Sequence, residues 1–229
     1  MIYLASFLLG GIFGITLWLY ISTFIERLHT NIYSTYTALF PQNPPIFQPH
    51  FAAIQEKKCG HFFRYFFIVG SLFSVLLFTT ENAFFSLWLA CTLLLLWTIA
   101  YLDWQYQLIS TTSCLILTAL GFIGASQSFS FLILEESLQS AVIFFFVFYS
   151  IYWLAKWHYK KEAFGQGDYW LALGIGSYLP LKQLPVFLLL ACLSGILFAL
   201  LSQKRNAFLP FAPFLCLSSF VVWLFNYYS

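Results

Sequence analysis

The chain has 229 residues, of which 61% are hydrophobic, 22% aromatic and only 8% charged, with a formal net charge of +2. This composition lies far outside the range of a water-soluble domain and places the chain among integral membrane proteins. With so few charges, nucleic-acid binding has no independent support.

A bilayer core of about 30 Å needs about 20 apolar residues per helical span. Windows of that kind follow one another along the chain. The first runs from about Tyr3 to Ile25; it lacks a basic leader and exceeds the usual length of a signal sequence, so it is expected to be a retained span. Next comes the largest polar interval, Glu26 to Arg64, where Pro41, Pro44, Pro45 and Pro49 break any continuous helix and predict a loop on the membrane surface. Seven further windows follow: Phe62 to Thr80, Ala83 to Tyr101, Leu108 to Ala125, Leu138 to Leu154, Phe164 to Leu179, Leu184 to Leu201 and Phe208 to Asn226. None shows sustained alternation of polar and apolar residues, which disfavours a closed barrel. The predicted fold is all-α: a polytopic transmembrane helix bundle of about eight spans with a short cytoplasmic loop segment.

Charge supplies an orientation. If odd-numbered connections face the cytoplasm, Arg27, Lys57, Lys58, Arg64, Lys156, Lys160, Lys161, Lys204 and Arg205 all lie inside and only Lys182 lies outside. Glu81, Glu135 and Glu136 then mark the opposite side, together with both chain ends. Five cysteines, Cys59, Cys91, Cys114, Cys192 and Cys216, are scattered and imply no disulfide framework. Cys59 with His50 and His61 falls short of the four-ligand rule for structural zinc, so no metal site is expected.

Only two aspartates occur, Asp103 and Asp168, each at the end of an apolar window on the basic side. A carboxylate near hydrocarbon is costly, so two in a chain that otherwise avoids acids there are candidates for chemistry. Asp103 is read at a turn between two spans, in the stretch Tyr101 to Ile109. Asp168 follows a glycine pair, Phe164-Gly165-Gln166-Gly167-Asp168, where Gly165 and Gly167 permit close backbone approach and dihedrals barred to other residues, opening room for an extended substrate strand. Two adjacent carboxyls hold one proton between them, so one can act as base on water and the other as acid toward a peptide carbonyl. The simplest alternative for Asp168 is a helix N-cap, and His158 and Glu162 read as an interfacial ring and a loop partner of lysine.

At these residues the chain resembles the type IV prepilin leader peptidases, bacterial inner-membrane aspartyl proteases that share a GxGD signature with the presenilin group. The likeness runs along nearly the whole chain: Gly10-Gly11-Ile12-Phe13-Gly14, Cys59-Gly60 followed by Arg64-Tyr65, Asp103 upstream of Leu108-Ile109, Gly165-Gln166-Gly167-Asp168, and Leu209-Pro210-Phe211-Ala212-Pro213-Phe214. The resemblance implies Asp103 and Asp168 as the catalytic pair, and as activity the removal of the basic leader from prepilins and pseudopilins at the cytoplasmic face, without a cofactor. It also implies, in fuller members, two zinc-binding cysteine pairs and N-methylation of the cleaved pilin. Here only Cys59 remains of those pairs, and no S-adenosylmethionine loop is recognisable, so zinc is not expected and methylation stays open. Ser110 stands where the family usually has proline, and Trp170 where a lysine is common. The chain is thus divided into a first transmembrane span (1–25), a cytoplasmic loop segment (26–64) that is a reduced form of the family's cysteine-containing region, and a transmembrane peptidase core (65–229). A proton- or cation-coupled transporter and a non-catalytic pilus assembly factor are the alternative readings.

Overall fold

The structure is a computed structural model that describes residues 1–42, 54, 55, 57, 59–160, 165–202 and 209–228. His50, Lys58, Lys161, Glu162, Phe164, Lys204, Arg205 and the prolines at 44, 45 and 49 lie outside the described residues. Among those described there are nine α-helices and no strand. They are α1 (Ile2–Ser22), α2 (Phe24–Leu39), α3 (Phe62–Thr80), α4 (Ala83–Tyr106), α5 (Thr111–Ser126), α6 (Leu134–Tyr159), α7 (Gln166–Gly176), α8 (Leu184–Ser202) and α9 (Ala212–Tyr228). Each of the eight apolar windows corresponds to a helix. Five of these helices, α1, α3, α4, α6 and α8, are long and apolar enough to cross a membrane, and α5 and α9 are shorter apolar helices.

The ninth helix, α2, falls in the interval read as loop. Ile25, Leu28, Ile32, Tyr36 and Leu39 recur on one face while Glu26, Arg27, Thr30 and Asn31 occupy another, the pattern of an amphipathic helix. The prolines act only from Pro41 onward: the helix stops at Leu39, and Phe40, one residue before proline, takes φ −127° and ψ 68°. The window ends also move. α4 continues past Tyr101 to Tyr106, and α6 absorbs Glu135 and Glu136 in its first turn and Lys156 in its last. Acids at a helix N-terminus and bases at its C-terminus complement the macrodipole, so these polar residues extend the helix instead of ending it.

The described residues form two compact units, Met1–Ala90 and Cys91–Ser229. In the first, α1 packs along α3 through glycine. A Cβ on Gly10 would sit 2.7 Å from the Phe73 ring and 2.9 Å from the Val69 carbonyl oxygen, and one on Gly14 would strike the Tyr65 carbonyl. Gly70 answers from α3, where an added Cβ would lie 2.9 Å from the Phe7 carbonyl oxygen. Small residues one turn apart let helix backbones approach closely, which is how apolar helices associate when lipid offers no hydrophobic driving force. Two side chains finish the pair: Trp18 Nε1 donates to the Gly60 carbonyl at 2.8 Å, and Ser74 Oγ donates to the Tyr3 carbonyl at 3.3 Å.

The second unit is built around α7. At 11 residues this helix is roughly 16 Å long and cannot cross a bilayer core of about 30 Å by itself. Its far end is therefore satisfied by neighbours. Ser137 Oγ of α6 donates to the Ser177 carbonyl at 2.7 Å and Ser140 Oγ to the Leu179 carbonyl at 2.5 Å. Tyr178 Oη donates to the Leu117 carbonyl at 3.1 Å and lies 3.2 Å from Thr92 Oγ1. Backbone groups buried away from water need partners, and these buried hydroxyls provide them.

Candidate active site

Asp103 lies in the last turn of α4, which ends at Tyr106, and not in the connection where the sequence pattern suggested it. Its residue is 5% exposed. The Asp103 Oδ2 atom accepts a hydrogen bond from the Ala212 backbone N–H at 3.0 Å, the first residue of α9. That amide has no acceptor within its own helix, so carboxylate and helix end satisfy each other.

Asp168 occupies the first turn of α7 and is 4% exposed. It is not the N-cap: Gly165 holds that position, and the Asp168 N–H donates to the Gly165 carbonyl at 3.2 Å. One carboxyl oxygen lies against the Gly165 backbone, 3.0 Å from where a Cβ on that glycine would stand. The other, Oδ1, is buried with no hydrogen-bond partner among the described residues. A buried polar group without a partner costs about 1–3 kcal/mol of folding free energy.

The two acids lie within electrostatic reach of each other, although α5 and α6 intervene between them in the chain. Two thiols complete their surroundings: Cys114 of α5 is close enough to interact with Asp168, and Cys216 of α9 with both acids. No basic side chain among the described residues contributes to the environment of either acid.

The glycine pair acts differently from the sequence expectation. Neither glycine takes a positive φ; Gly165 is extended at φ −67° and ψ 135°, and Gly167 is helical. Gly167 instead makes room for Ile109, whose side chain a Cβ there would strike. Gly165 is exposed, and among the described residues a Cβ on it would meet the Asp168 carboxyl. Ile109 belongs to the Leu-Ile pair after Asp103, and Ser110 beside it caps α5 by accepting from the Ser113 N–H at 3.4 Å. The hydroxyl thus starts the helix at a position where proline would do so by its fixed φ.

Lys156 engages neither acid: its Nζ lies 3.3 Å from Tyr152 Oη and 5.6 Å from that ring. The same hydroxyl receives Gln166 Nε2 at 3.3 Å, tying the glycine motif to α6. Tyr169 packs on Phe145, Tyr149 and Tyr152 at 5.4, 5.6 and 5.8 Å, and Trp170 on Phe145 at 5.4 Å. Trp170 therefore belongs to an aromatic seam between α6 and α7. Among the described residues, which exclude His50, no group of three or more His, Cys, Asp or Glu side chains is placed to hold a metal ion. The donor set around Cys59, whose Sγ lies 3.8 Å from the Lys57 carbonyl oxygen, does not fit a four-thiolate zinc site.

Sequence reasoning missed the Ala212 amide, Ile109, Cys114 and Cys216 as neighbours of the acids. A backbone donor carries no side-chain signal, and a cysteine inside an apolar run reads as a small hydrophobe.

The model of the type IV leader peptidase family matches residues 88–200, a stretch that contains both acids. A prepilin leader peptidase/N-methyltransferase of Haemophilus influenzae is 58% identical over 229 residues, covering 100% of both chains. A protein of the same description from Pseudomonas aeruginosa is 32% identical over 142 residues, 58% of this chain and 49% of that one. A type 4 prepilin-like proteins leader peptide-processing enzyme of Escherichia coli is 35% identical over 98 residues, 43% of this chain and 36% of that one. No solved structure matches.

Proposed function

The chain belongs to the type IV leader peptidase family, and on that premise we propose that it is a membrane endopeptidase that removes the basic leader from prepilins and pseudopilins with Asp103 and Asp168 as its catalytic pair. The observation that carries the reading is the placement of the chain's two aspartates: both are buried, on different helices and within electrostatic reach of each other.

In this reading one carboxylate takes a proton from water as the water attacks the scissile carbonyl, and the partner carboxyl donates its proton to the carbonyl oxygen. Collapse of the tetrahedral diol breaks the C–N bond: the nitrogen leaves as an amine with the proton that the base had gained, a diol hydroxyl gives its proton to the other carboxylate, and one proton again rests between the acids. The exposed Gly165 is where an extended substrate strand comes beside Asp168. The positive-inside pattern supports a cytoplasmic position for the acids in the bacterial inner membrane, where the basic leader meets the head of the pilin's own apolar helix.

The test is cleavage of a prepilin by the purified chain in detergent with a chelator present. Wild type is expected to cut, and Asp103→Ala and Asp168→Ala to accumulate in the membrane without cutting; cleavage by either variant contradicts the assignment. N-methylation belongs to the description of the Haemophilus relative, and mass analysis of the same product for a methylated N-terminus extends the assay to that activity.

A further inference from the structure

We infer that the opening turn of α9 is the positioning device for Asp103: the Ala212 backbone N–H aims its carboxylate, and Phe198 of α8 holds that turn in place. The inference rests on the two-aspartate reading above and adds to it a part of the chain to which no role has been given.

The Leu209-Pro210-Phe211-Ala212-Pro213-Phe214 stretch stands out in the sequence, and two features make it rigid. Its prolines fix φ on either side of Ala212. The Phe211 carbonyl accepts from both the Phe214 N–H at 3.1 Å and the Leu215 N–H at 3.2 Å, closing the turn on itself. The Ala212 N–H is thereby left pointing out of the helix end, and it meets Asp103 Oδ2 at 3.0 Å in a fully buried setting. Among the described residues it is the one hydrogen bond on that carboxylate. In a poorly solvated interior such a bond is stronger and more directional than in water, so it sets how the carboxylate presents its second oxygen.

Three aromatic rings then fix the distance between the two helices that make this bond. Trp104, next to Asp103 on α4, meets Phe198 edge-on at 5.2 Å, and Phe198 meets Phe214 of α9 at 5.6 Å. On the same face of α8, Gly195 leaves Phe211 and Phe214 at 3.7 Å from where its Cβ would be. Phe198 of α8 therefore touches both the acid's helix and the donor's helix beside their direct contact. A shift of this turn moves Asp103 without touching substrate, so its loss is expected in kcat and not in KM.

Because the chain contains two aspartates, 13C labelling of aspartate carboxyl carbons gives two resonances, which Asp103→Asn assigns. The experiment uses the full chain in detergent without substrate, followed by prepilin cleavage. Ala212→Pro removes the donor at a first helical position where proline fits, whereas Ala212→Gly keeps it. Ala212→Pro is expected to displace the Asp103 resonance, to leave that of Asp168 in place, and to lower kcat about tenfold with KM within about twofold, as loss of a hydrogen bond to a charged group predicts. Ala212→Gly should keep both resonances and most of the rate. Phe198→Leu should displace the same Asp103 resonance by a smaller amount and lower kcat about threefold. An unmoved Asp103 resonance in Ala212→Pro, or equal effects of proline and glycine, overturns the inference. Should Ala212→Pro fail to accumulate, Phe198→Leu decides alone by the same resonance. A displaced resonance in a chain whose wild type cleaves no prepilin would fault the proposed function and leave the positioning role standing.

Discussion

The α1–α3 pair and the segment around α7 both pack through glycine and differ in the buried hydroxyl hydrogen bonds that the second adds. In the pair, Gly10, Gly14 and Gly70 remove side chains so that backbones touch, and Ser74 adds a hydrogen bond to the Tyr3 carbonyl. In the segment around α7, hydroxyls of Ser137, Ser140 and Tyr178 at the far end of that helix reach across to carbonyls, and the Asp168 carboxyl is buried at its first turn. Long helices satisfy their own backbone and need only fit; a helix too short to span must borrow partners. The difference teaches where chemistry can be built in a bilayer: at the ends of a short helix, where the polar groups that the solvent cannot satisfy are already gathered.

Changes that erase this difference should grade in severity. Replacing Asp168 with Asn keeps the volume and removes the acid, and is expected to lower prepilin cleavage by roughly three orders of magnitude or more while thermal stability in detergent stays level or rises. An unfolded variant would instead assign Asp168 to the fold. Next come the packing glycines. Gly14→Leu should open the α1–α3 contact and cost about 1–3 kcal/mol, read as a lower melting temperature of the whole chain in detergent, with residual enzyme cutting at its usual rate per folded molecule. Gly167→Val has a similar steric cost against Ile109 but sits beside Asp168, so it should lower both stability and rate, the latter about tenfold. The pairing of these two variants separates packing that only holds helices from packing that also aims an acid. A smaller effect belongs to Ser140→Ala, which strands the Leu179 carbonyl and should cost about 1 kcal/mol in the same melt. Ser110→Pro exchanges one helix-starting device for another and should shift stability by about 0.5 kcal/mol or less.

Much of this architecture is legible in hydropathy. Each apolar window became a helix, because about 20 apolar residues in lipid leave the backbone no better option. The two acids were legible for a related reason: against 61% hydrophobic residues, two aspartates are conspicuous. Local overrides were not. Four prolines suggested a loop, yet all four come after the amphipathic stretch that forms α2, so their effect reached back no farther than Phe40. Asp103 looked like a turn residue because polarity rises after Tyr101, but α4 keeps its register to Tyr106, and the turn proper comes with Gln107 at φ 55°. The glycines of the GxGD motif suggested unusual dihedrals, whereas the fold uses Gly167 for the space its missing side chain leaves to Ile109. The Ala212 amide was invisible, since any residue except proline offers the same donor.

The claim that Asp103 and Asp168 form one catalytic unit is tested most directly by comparing cleavage rates of wild type, Asp103→Asn, Asp168→Asn and the double variant, each purified in detergent and corrected for folded protein. Groups that act together are non-additive: the account predicts that the double variant is no slower than either single one, all three lying near the uncatalysed background. Single-variant losses that multiply in the double variant, or one single variant that keeps most of the rate, would contradict it.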